Sequence, residues 1–302
     1  MKIQDADLKL LRIFETIVQC GGFAAAQSTL NIGASSISEY VAQLETRLGV
    51  RLCERGRAGF RLTEEGVQLH AAAQRLLGAV DIFQMESASV RNELSGQLRL
   101  GMIEATLTDL ASPLLPAVRR FGQAAPEVNL QVLTDTSSGL EQRVLDGRLH
   151  LAVGPFPVEI PGLDYTPLYH EEQGLYCSPP HPWFDRADAE LTTEELKTAK
   201  LVERAYLGRQ ELDQLGVAKP AASVDSVEGR AMLILSGNYI GFLPPHYAQQ
   251  WLSHGLMRRL LPERCVTRLS FQILTRRGMP LPRVVRGFIE HLQAAARTAL
   301  TT

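Results

Sequence analysis

Apolar residues recur every three or four positions through the first 50 residues of the chain and predict three helices. The first helix ends at Gly21-Gly22, and the turn Asn31-Ile32-Gly33 separates the second helix from a third at about 34–48. The inward positions are Leu8, Leu11, Phe14, Ile17 and Val18, then Phe23, Ala26 and Leu30, then Ile37, Val41, Leu44 and Leu48.

Two helices joined by a short turn that contains Gly are typical of a helix-turn-helix motif. In that motif the first residues of the second helix meet the base edges of DNA. The residues predicted to face DNA are Ala34, Ser35, Ser36, Ser38, Glu39 and Tyr40. The alternative is a plain pair of helices with a solvated polar face.

The predicted recognition helix begins without Lys or Arg, so its affinity for phosphate must come from elsewhere. The stretch from Leu52 to Leu62 predicts a small hairpin with Arg55 and Arg57 near its tip. Arginines on such a wing can contact phosphates or enter the minor groove, and they supply salt-dependent affinity. Glu39 can accept a hydrogen bond from cytosine N4, which adds selectivity.

A long helix is predicted to follow, with Thr63 as its N-cap and its end near Leu94. Its positions 69, 73, 76, 80, 83, 87, 90 and 94 alternate steps of four and three residues, which is a heptad seam interrupted only by Ser87. The seam predicts a homodimer through this helix. The alternative is that the stripe packs on its own domain.

Residues 5–95 resemble the winged helix-turn-helix and linker helix of the LysR-type transcriptional regulators. The matching motifs are Ala-Ala-x-x-x-Leu, Ile-Ser, Leu-Glu-x-x-Leu-Gly and Leu-Thr-x-x-Gly within "GGFAAAQSTLNIGASSISEYVAQLETRLGVRLCERGRAGFRLTEEG". The family commonly has Ser-Gln-Pro where this chain has Gly33, Ala34 and Ser35. Gly is a tolerable N-cap, but the missing Gln leaves the operator sequence open.

Strand and helix patterns alternate after Gly96. "QLRLGMI", "VNLQVLT" and "LHLAVG" are predicted strands, with a helix through Leu107, Leu110, Leu114, Val118 and Phe121 and another at about 138–146. This order predicts a parallel sheet with right-handed crossovers. The stretch "VDSVEGRAMLILSGNYIGFLPPHY" resembles the effector domain of the same family.

The resemblance therefore covers nearly the whole chain and implies an α/β fold class in three parts. A winged helix-turn-helix domain (1–65) precedes a linker helix (66–95) and a two-lobed, periplasmic-binding-protein-like effector domain (96–302). Lobe I is placed at 96–160 and 268–302, and lobe II at 161–267.

Ligands of open α/β sheets bind beyond the carboxyl ends of strands. The predicted effector-binding residues are Glu104, Ala105, Thr106, Thr136, Ser137, Ser138, Arg204, Tyr206, Asp225, Ser226 and Phe242. Arg204 can pair with a carboxylate, whereas Glu104 would repel one and would instead receive an amino group or pair with Arg204. Phe242 is expected to line the cleft wall. The alternative for Thr106, Ser138 and Ser226 is that each only caps a helix.

Composition and motifs exclude several classes of function. The net charge of −2, with 45% hydrophobic and 21% charged residues, predicts ordinary globular material. We find no signal peptide, spanning helix, nucleotide loop or catalytic motif, and the four scattered cysteines favour a cytoplasmic protein without a cofactor. No metal site is expected, because His246 and His254 are eight residues apart, and Glu171 and Glu172 are expected to be solvated.

The sequence thus predicts a non-enzymatic regulator that binds an interrupted palindrome of double-stranded DNA and responds to a small-molecule effector. The family precedent is a tetramer built from two dimers, and RNA polymerase is a candidate partner. The alternative is a small-molecule-binding or enzymatic α/β protein with an incidental N-terminal interaction module.

Overall fold

The computed structural model describes residues 4–56, 59–90 and 94–299. The chain forms two compact units. The N-terminal unit comprises Met1–Ser87 with Asp146–Arg148, and the C-terminal unit comprises Ala88–Leu145 with Leu149–Thr302. No helix in these described ranges combines the length and the apolar content needed to cross a membrane.

The N-terminal unit is a three-helix core followed by a hairpin and a long helix. Its elements are α1 (Asp5–Gln19), α2 (Phe23–Leu30), α3 (Ala34–Leu48), β1 (Cys53–Gly56), β2 (Gly59–Leu62) and α4 (Glu64–Val90). Asn31 ends α2 in the left-handed conformation with φ 53°, so the chain turns sharply into α3 as predicted. Phe14, Ile17, Ile37 and Leu44 are completely buried in the core.

Helix α4 begins where the sequence predicts. The Thr63 hydroxyl accepts a hydrogen bond from Gly66 N at 3.0 Å, which caps the first turn. Gly66 is required there, because a Cβ at this position would lie 1.9 Å from the Leu52 carbonyl oxygen. Helix α4 is described as far as Val90, residues 91–93 lie outside the described residues, and Leu94 is not helical, so the predicted end near Leu94 stays a prediction.

The apolar stripe of α4 divides into two halves with different surroundings. Leu69, Ala73 and Leu76 pack into the cluster formed by α1, α3 and Leu52. The structure therefore supports, for this half, the alternative that the stripe packs on its own domain. Phe83 and Val90 in the second half are 67% and 88% exposed.

The C-terminal unit is built on one nine-stranded mixed sheet. Its strands are β3 (Gly96–Met102), β4 (Val128–Thr134), β5 (Leu151–Pro155), β6 (Leu163–Cys177), β7 (Leu201–Arg204), β8 (Ala222–Val224), β9 (Ile240–Leu243), β10 (Arg258–Leu260) and β11 (Val266–Arg276). Its helices are α5 (Leu114–Ala124), α6 (Ser137–Leu145), α7 (Thr193–Thr198), α8 (Gln210–Leu215), α9 (Val227–Leu235), α10 (Pro245–Leu252) and α11 (Arg283–Ala299). Short 3-10 turns cover Thr106–Thr108, Asp188–Glu190 and Ala205–Leu207.

The strand order β4-β3-β5-β11-β6-β9-β7-β8 joins two parallel groups through a long antiparallel pair. Strand β3 is parallel to β4 and β5 in lobe I, and β7 is parallel to β8 and β9 in lobe II. Strands β6 and β11 pair from Leu163 to Gly174 and cross between the lobes. The two-lobed α/β architecture is as predicted.

The predicted start of the helix through Leu107 and Leu114 is wrong. Helix α5 begins only at Leu114, and Leu107 and Leu110 are 67% and 97% exposed. Pro113 disfavours a helical conformation at the residue before it, so the helix cannot extend further back. A 3-10 turn and an irregular segment occupy the stretch instead, and Asp109 Oδ1 accepts a hydrogen bond from Ala111 N at 2.9 Å.

Candidate functional site

The start of α3 presents small and polar side chains to solvent. Ala34, Ser35 and Glu39 are exposed, and Ser36, Ser38 and Tyr40 are half-buried. Gly33 precedes the helix and has no side chain to cap it. The first-turn N–H groups of α3 are therefore not bonded by a capping side chain and carry the partial positive charge of a helix N-terminus.

Lys9, which the sequence analysis did not assign to the DNA-facing surface, lies beside this helix. Lys9 on α1 donates a hydrogen bond to Tyr40 Oη at 3.2 Å, and its ammonium lies 4.7 Å from the ring centroid. Tyr40 also packs between the two hydrophobic clusters of the N-terminal unit, so it has a structural role. Lys9 and Tyr40 are 31 residues apart, and no local spacing indicates their contact.

The predicted wing is confirmed as a hairpin, because β1 and β2 pair antiparallel with Arg55 opposite Phe60. Arg57 lies outside the described residues. Arg61 lies at the base of the hairpin and forms an ion pair with Glu54, with 3.0 Å between Arg61 Nη2 and Glu54 Oε2.

Arg47 has a structural role in the N-terminal unit. It donates to Asp7 Oδ2 at 2.8 Å and holds the pKa of that carboxyl below its ordinary value. Arg51 is exposed.

In the C-terminal unit, the end of β3 and the start of α9 meet. The Glu104 carboxylate accepts a hydrogen bond from Val227 N at the first turn of α9. That helix start is one of the points expected to receive an anionic effector. Glu104 itself occupies it, because a carboxylate is stabilised by the free N–H groups and dipole of a helix N-terminus.

Arg204 ends β7 and is only 1% exposed. Its Nε and Nη2 atoms have no hydrogen-bond partner among the described residues, and its guanidinium lies 4.8 Å from the Tyr206 ring centroid. Burial, followed by the positive charge of Arg230, lowers the pKa of Arg204 to about 10, while Glu211, Glu171 and Glu104 oppose that shift. The site thus contains a buried, charged donor group with vacant bonding capacity.

Three of the predicted hydroxyls have partners within the protein. Thr106 Oγ1 donates to Ile103 O at 2.9 Å, and Ser137 Oγ donates to Pro155 O at 2.7 Å. Ser226 Oγ accepts from Gly229 N at 2.9 Å and caps α9. Thr106 lies in a 3-10 turn and caps no α-helix, so that alternative is wrong for Thr106.

The cap of α6 is Thr136 rather than Ser138. Thr136 Oγ1 accepts from Gly139 N at 3.2 Å, and Ser138 is exposed. Asp225 is also exposed, and Ala105 has a left-handed conformation with φ 59° before the 3-10 turn. No hydrogen bond in the described part of the chain joins the Thr136–Ser138 segment to Glu104, Arg204 or Ser226.

Phe242 does not line a cleft wall. Its side chain is completely buried in the lobe II core with Leu175 and Ile240, because every residue of β9 is buried. Its carbonyl accepts from Arg230 Nη1 at 2.7 Å, and the same nitrogen donates to Glu211 at 2.8 Å.

The expectation that Glu171 is solvated is also wrong. Glu171 is 5% exposed, and its Oε1 lies 3.1 Å from His246 Nε2. Glu172 on the other side of β6 is exposed and pairs with Arg259. Glu171 and His246 are 75 positions apart in the sequence, so no local spacing indicates their contact.

Two family models match the chain. The model described as "Bacterial regulatory helix-turn-helix protein, lysR family" matches residues 8–67, and the model described as "LysR substrate binding domain" matches residues 91–297. The HTH-type transcriptional activator BauR of Pseudomonas aeruginosa is 40% identical, with 96% of this chain and 95% of BauR covered. The SDS degradation transcriptional activation protein of a Pseudomonas species is 29% identical, with 97% of each chain covered.

Solved structures show the same fold. Full-length CbnR complexed with its target DNA has a TM-score of 0.65 at 20% identity, and the alignment covers 95% of this chain and 99% of CbnR. Full-length OxyR from Pseudomonas aeruginosa has a TM-score of 0.62 at 24% identity, covering 98% of this chain and 95% of OxyR. With its helix-turn-helix and two-lobed effector-binding domain, the chain belongs to the LysR family of DNA-binding transcriptional regulators.

Proposed function

We propose that the effector of this regulator is a small molecule with a carboxylate or similar anionic group that binds to Arg204 between the two lobes. The buried, unpaired guanidinium of Arg204 is the observation that carries this proposal. A buried charge is costly unless it is paired and hydrogen-bonded. An anion that accepts from Nε and Nη2 would supply both the charge and the acceptors in a bidentate arrangement.

The neighbours of Arg204 suggest what else the effector carries. Tyr206 offers an aromatic face beside the guanidinium, and Glu104 adds a negative charge at the start of α9. Because Glu104 already accepts from Val227 N, it opposes a second anion at that helix start. We therefore place the anionic end of the effector at Arg204, and the exposed Ser138 and Asp225 stay predicted contacts for other parts of the effector.

We further propose that the protein reads an interrupted palindrome as a homodimer, with the assignment of domains and lobes given above. Phe83 and Val90 on α4 support a dimer contact, since they leave apolar surface exposed on a single chain. Residues 34–40 would meet base edges, and Arg55, Arg57 and Lys9 would add phosphate affinity. The proposal also includes assembly into a tetramer, contact with RNA polymerase and action in the cytoplasm. The protein would act by binding and not by catalysis.

Selection of binding sites from random DNA duplexes at two salt concentrations tests the DNA part. We expect an enriched dyad whose affinity falls as salt rises. Arg55→Ala/Arg57→Ala should weaken binding to all sequences, and Glu39→Ala should change the preferred sequence. Enrichment of a single half-site without symmetry would contradict the dimer.

A thermal-shift screen of small carboxylates against the full chain tests the effector part. We expect at least one carboxylate to raise the melting temperature, while its uncharged amide does not. Arg204→Met should abolish the shift. Arg120→Gln, which removes an exposed arginine on α5, should retain it. A carboxylate that stabilises Arg204→Met as strongly as the wild type would contradict the role of Arg204.

A further inference from the structure

Three side chains of metal-binding type meet in the C-terminal unit. Asp109 follows the first 3-10 turn in lobe I, Glu171 lies on the crossing strand β6, and His246 lies in the first turn of α10 in lobe II. One ligand atom from each lies within 4.8 Å of the others. Glu171 is buried, and Asp109 and His246 are half-buried. The proposed effector contacts use none of the three.

The two ring nitrogens of His246 face different groups. Nδ1 lies 2.8 Å from Thr108 Oγ1, and that hydroxyl also lies 2.9 Å from Ala105 O. Nε2 faces the Glu171 carboxylate at 3.1 Å. Nε2 is therefore the ring nitrogen that can share a metal ion with Glu171.

The charges of the cluster favour the metal ion. Two carboxylates, Asp109 and Glu171, stand beside one imidazole. A divalent cation bound by a neutral imidazole would balance the charges of both carboxylates. Arg204 interacts electrostatically with Glu171 but forms no ion pair with any described residue.

The second contacts of the ligands resemble those of metal sites. Gln173, which is completely buried, donates from Nε2 to Glu171 Oε2 at 2.5 Å and leaves Oε1 directed at His246. The Thr108 hydroxyl contacts Nδ1 and so orients the imidazole, as outer-shell partners do for metal-bound histidines. Two ligands that each lie about 2.1 Å from a metal ion are roughly 3.0–3.4 Å apart. The observed 3.1 Å between Nε2 and Oε1 fits that separation.

We propose that Asp109, Glu171 Oε1 and His246 Nε2 bind one divalent first-row transition metal ion, such as Zn²⁺ or Mn²⁺. Imidazole with two carboxylates is a ligand set that these ions accept, and three protein ligands leave a coordination position open. Because the ligands come from lobe I, lobe II and a crossing strand, the ion holds the two lobes together. This site goes beyond the proposed function and does not depend on Arg204 or on DNA.

Metal titration of the chelator-treated full chain tests the site. We expect one saturable equivalent of Zn²⁺ per chain by calorimetry, and Co²⁺ bound at the same site should give visible d–d absorption. Asp109→Asn and His246→Gln each remove one ligand, so each should weaken binding by at least about 10- to 100-fold. His254→Gln is the matched control, because His254 is an exposed histidine just after α10 and should leave binding unchanged.

The same experiment can overturn the proposal. Absence of saturable binding to the wild-type chain would leave His246 and Glu171 as a plain ion pair. Unchanged affinity in both Asp109→Asn and His246→Gln would place the ion elsewhere. Tryptophan fluorescence checks that each variant is folded, because Trp183 and Trp251 both lie in the C-terminal unit. The carboxylate screen repeated with chelator present separates failure of this site from failure of the effector proposal.

Discussion

The two units of this protein place their functional residues in opposite ways. In the N-terminal unit, the predicted DNA-facing side chains come from one helix start and one hairpin, both within residues 34–57. In the C-terminal unit, Glu104, Arg204 and the start of α9 come from three separate elements. Function is therefore local in sequence in the first unit and depends on sheet topology in the second.

The units also differ in what they bury. The buried Asp7 of the N-terminal unit forms an ion pair with Arg47 and accepts a hydrogen bond from Gln4 N. The C-terminal unit buries two arginines, of which Arg230 has a carboxylate partner and Arg204 does not. Nε and Nη2 of both arginines lack hydrogen-bond partners among the described residues, so the two differ in the carboxylate that accompanies Arg230. A buried guanidinium without such a carboxylate indicates a place for an anion.

The largest expected effect is the loss of the buried ion pair between Arg230 and Glu211. Arg230→Met should destabilise the C-terminal unit by about 3–5 kcal/mol, because it leaves the buried Glu211 carboxylate unpaired. Urea unfolding followed by tryptophan fluorescence measures the loss. Glu211→Leu/Arg230→Met should recover most of it, since no buried charge remains. Lys197→Met removes the exposed Lys197–Glu194 pair and should cost no more than about 1 kcal/mol. A full loss in the double variant would show that packing, not charge, is responsible.

The second prediction compares two helical glycines, one in each unit. Gly66→Ala should destabilise the N-terminal unit by about 3 kcal/mol, because the new Cβ would collide with the Leu52 carbonyl. Gly122→Ala on α5 meets no atom within 4 Å and should stabilise the C-terminal unit by about 0.5–1 kcal/mol. Far-UV circular dichroism follows both units, and tryptophan fluorescence follows the second alone. If Gly66→Ala and Gly122→Ala changed stability equally, the close approach of Gly66 to the Leu52 carbonyl would be contradicted.

Acidification should lower the stability of the two units in different pH ranges. Burial, then the charge of Arg99, lowers the pKa of His150 from 6.5 to about 3. The unfolded chain therefore binds one more proton between pH 6.5 and 3, and the C-terminal unit loses about 1.4 kcal/mol for each pH unit below 6.5. Asp7 has a lowered pKa, so its contribution to the N-terminal unit is present above its ordinary value of 3.8 and is lost as pH falls below it.

His150→Asn provides the control for this third prediction. His150 Nδ1 accepts from Arg99 N at 3.0 Å, and an Asn oxygen can accept the same hydrogen bond without titrating. Urea midpoints measured by tryptophan fluorescence between pH 7.5 and 5 should fall for the wild type and stay flatter for the variant. The same slope in both proteins would assign the acid sensitivity to another group.

Much of the fold follows from sequence patterns because its determinants are local. The periodicity of Phe14 and Ile17, the turn at Asn31 and the cap at Thr63 each depend on a few neighbouring residues, and all three are confirmed. The start of α5 was less predictable. An apolar step of three or four at Leu107 and Leu110 continued the helical pattern across a segment that Pro113 keeps out of the helix.

The site was only partly predictable, because a side chain's partners depend on elements far apart in sequence. Arg204 could be placed at a strand end, but its lack of a partner is visible only in three dimensions. Phe242 was assigned to a cleft wall, although strand β9 is buried on both faces. Glu171 looked like a solvated carboxylate, and its contact with His246 arises only because β6 runs beneath the start of α10.

The smallest expected effect tests whether Ser226 acts only as a helix cap. Ser226→Ala should cost about 1 kcal/mol of C-terminal unit stability, because Gly229 N loses its acceptor. Ser226→Asn restores a capping acceptor and should recover that stability. Both variants are then compared in the carboxylate screen. If Ser226 is only a cap, Ser226→Asn will respond to the effector as the wild type does. A variant that regains stability but not the response would show that the hydroxyl also contacts the effector, which would extend the site from Arg204 to the first turn of α9.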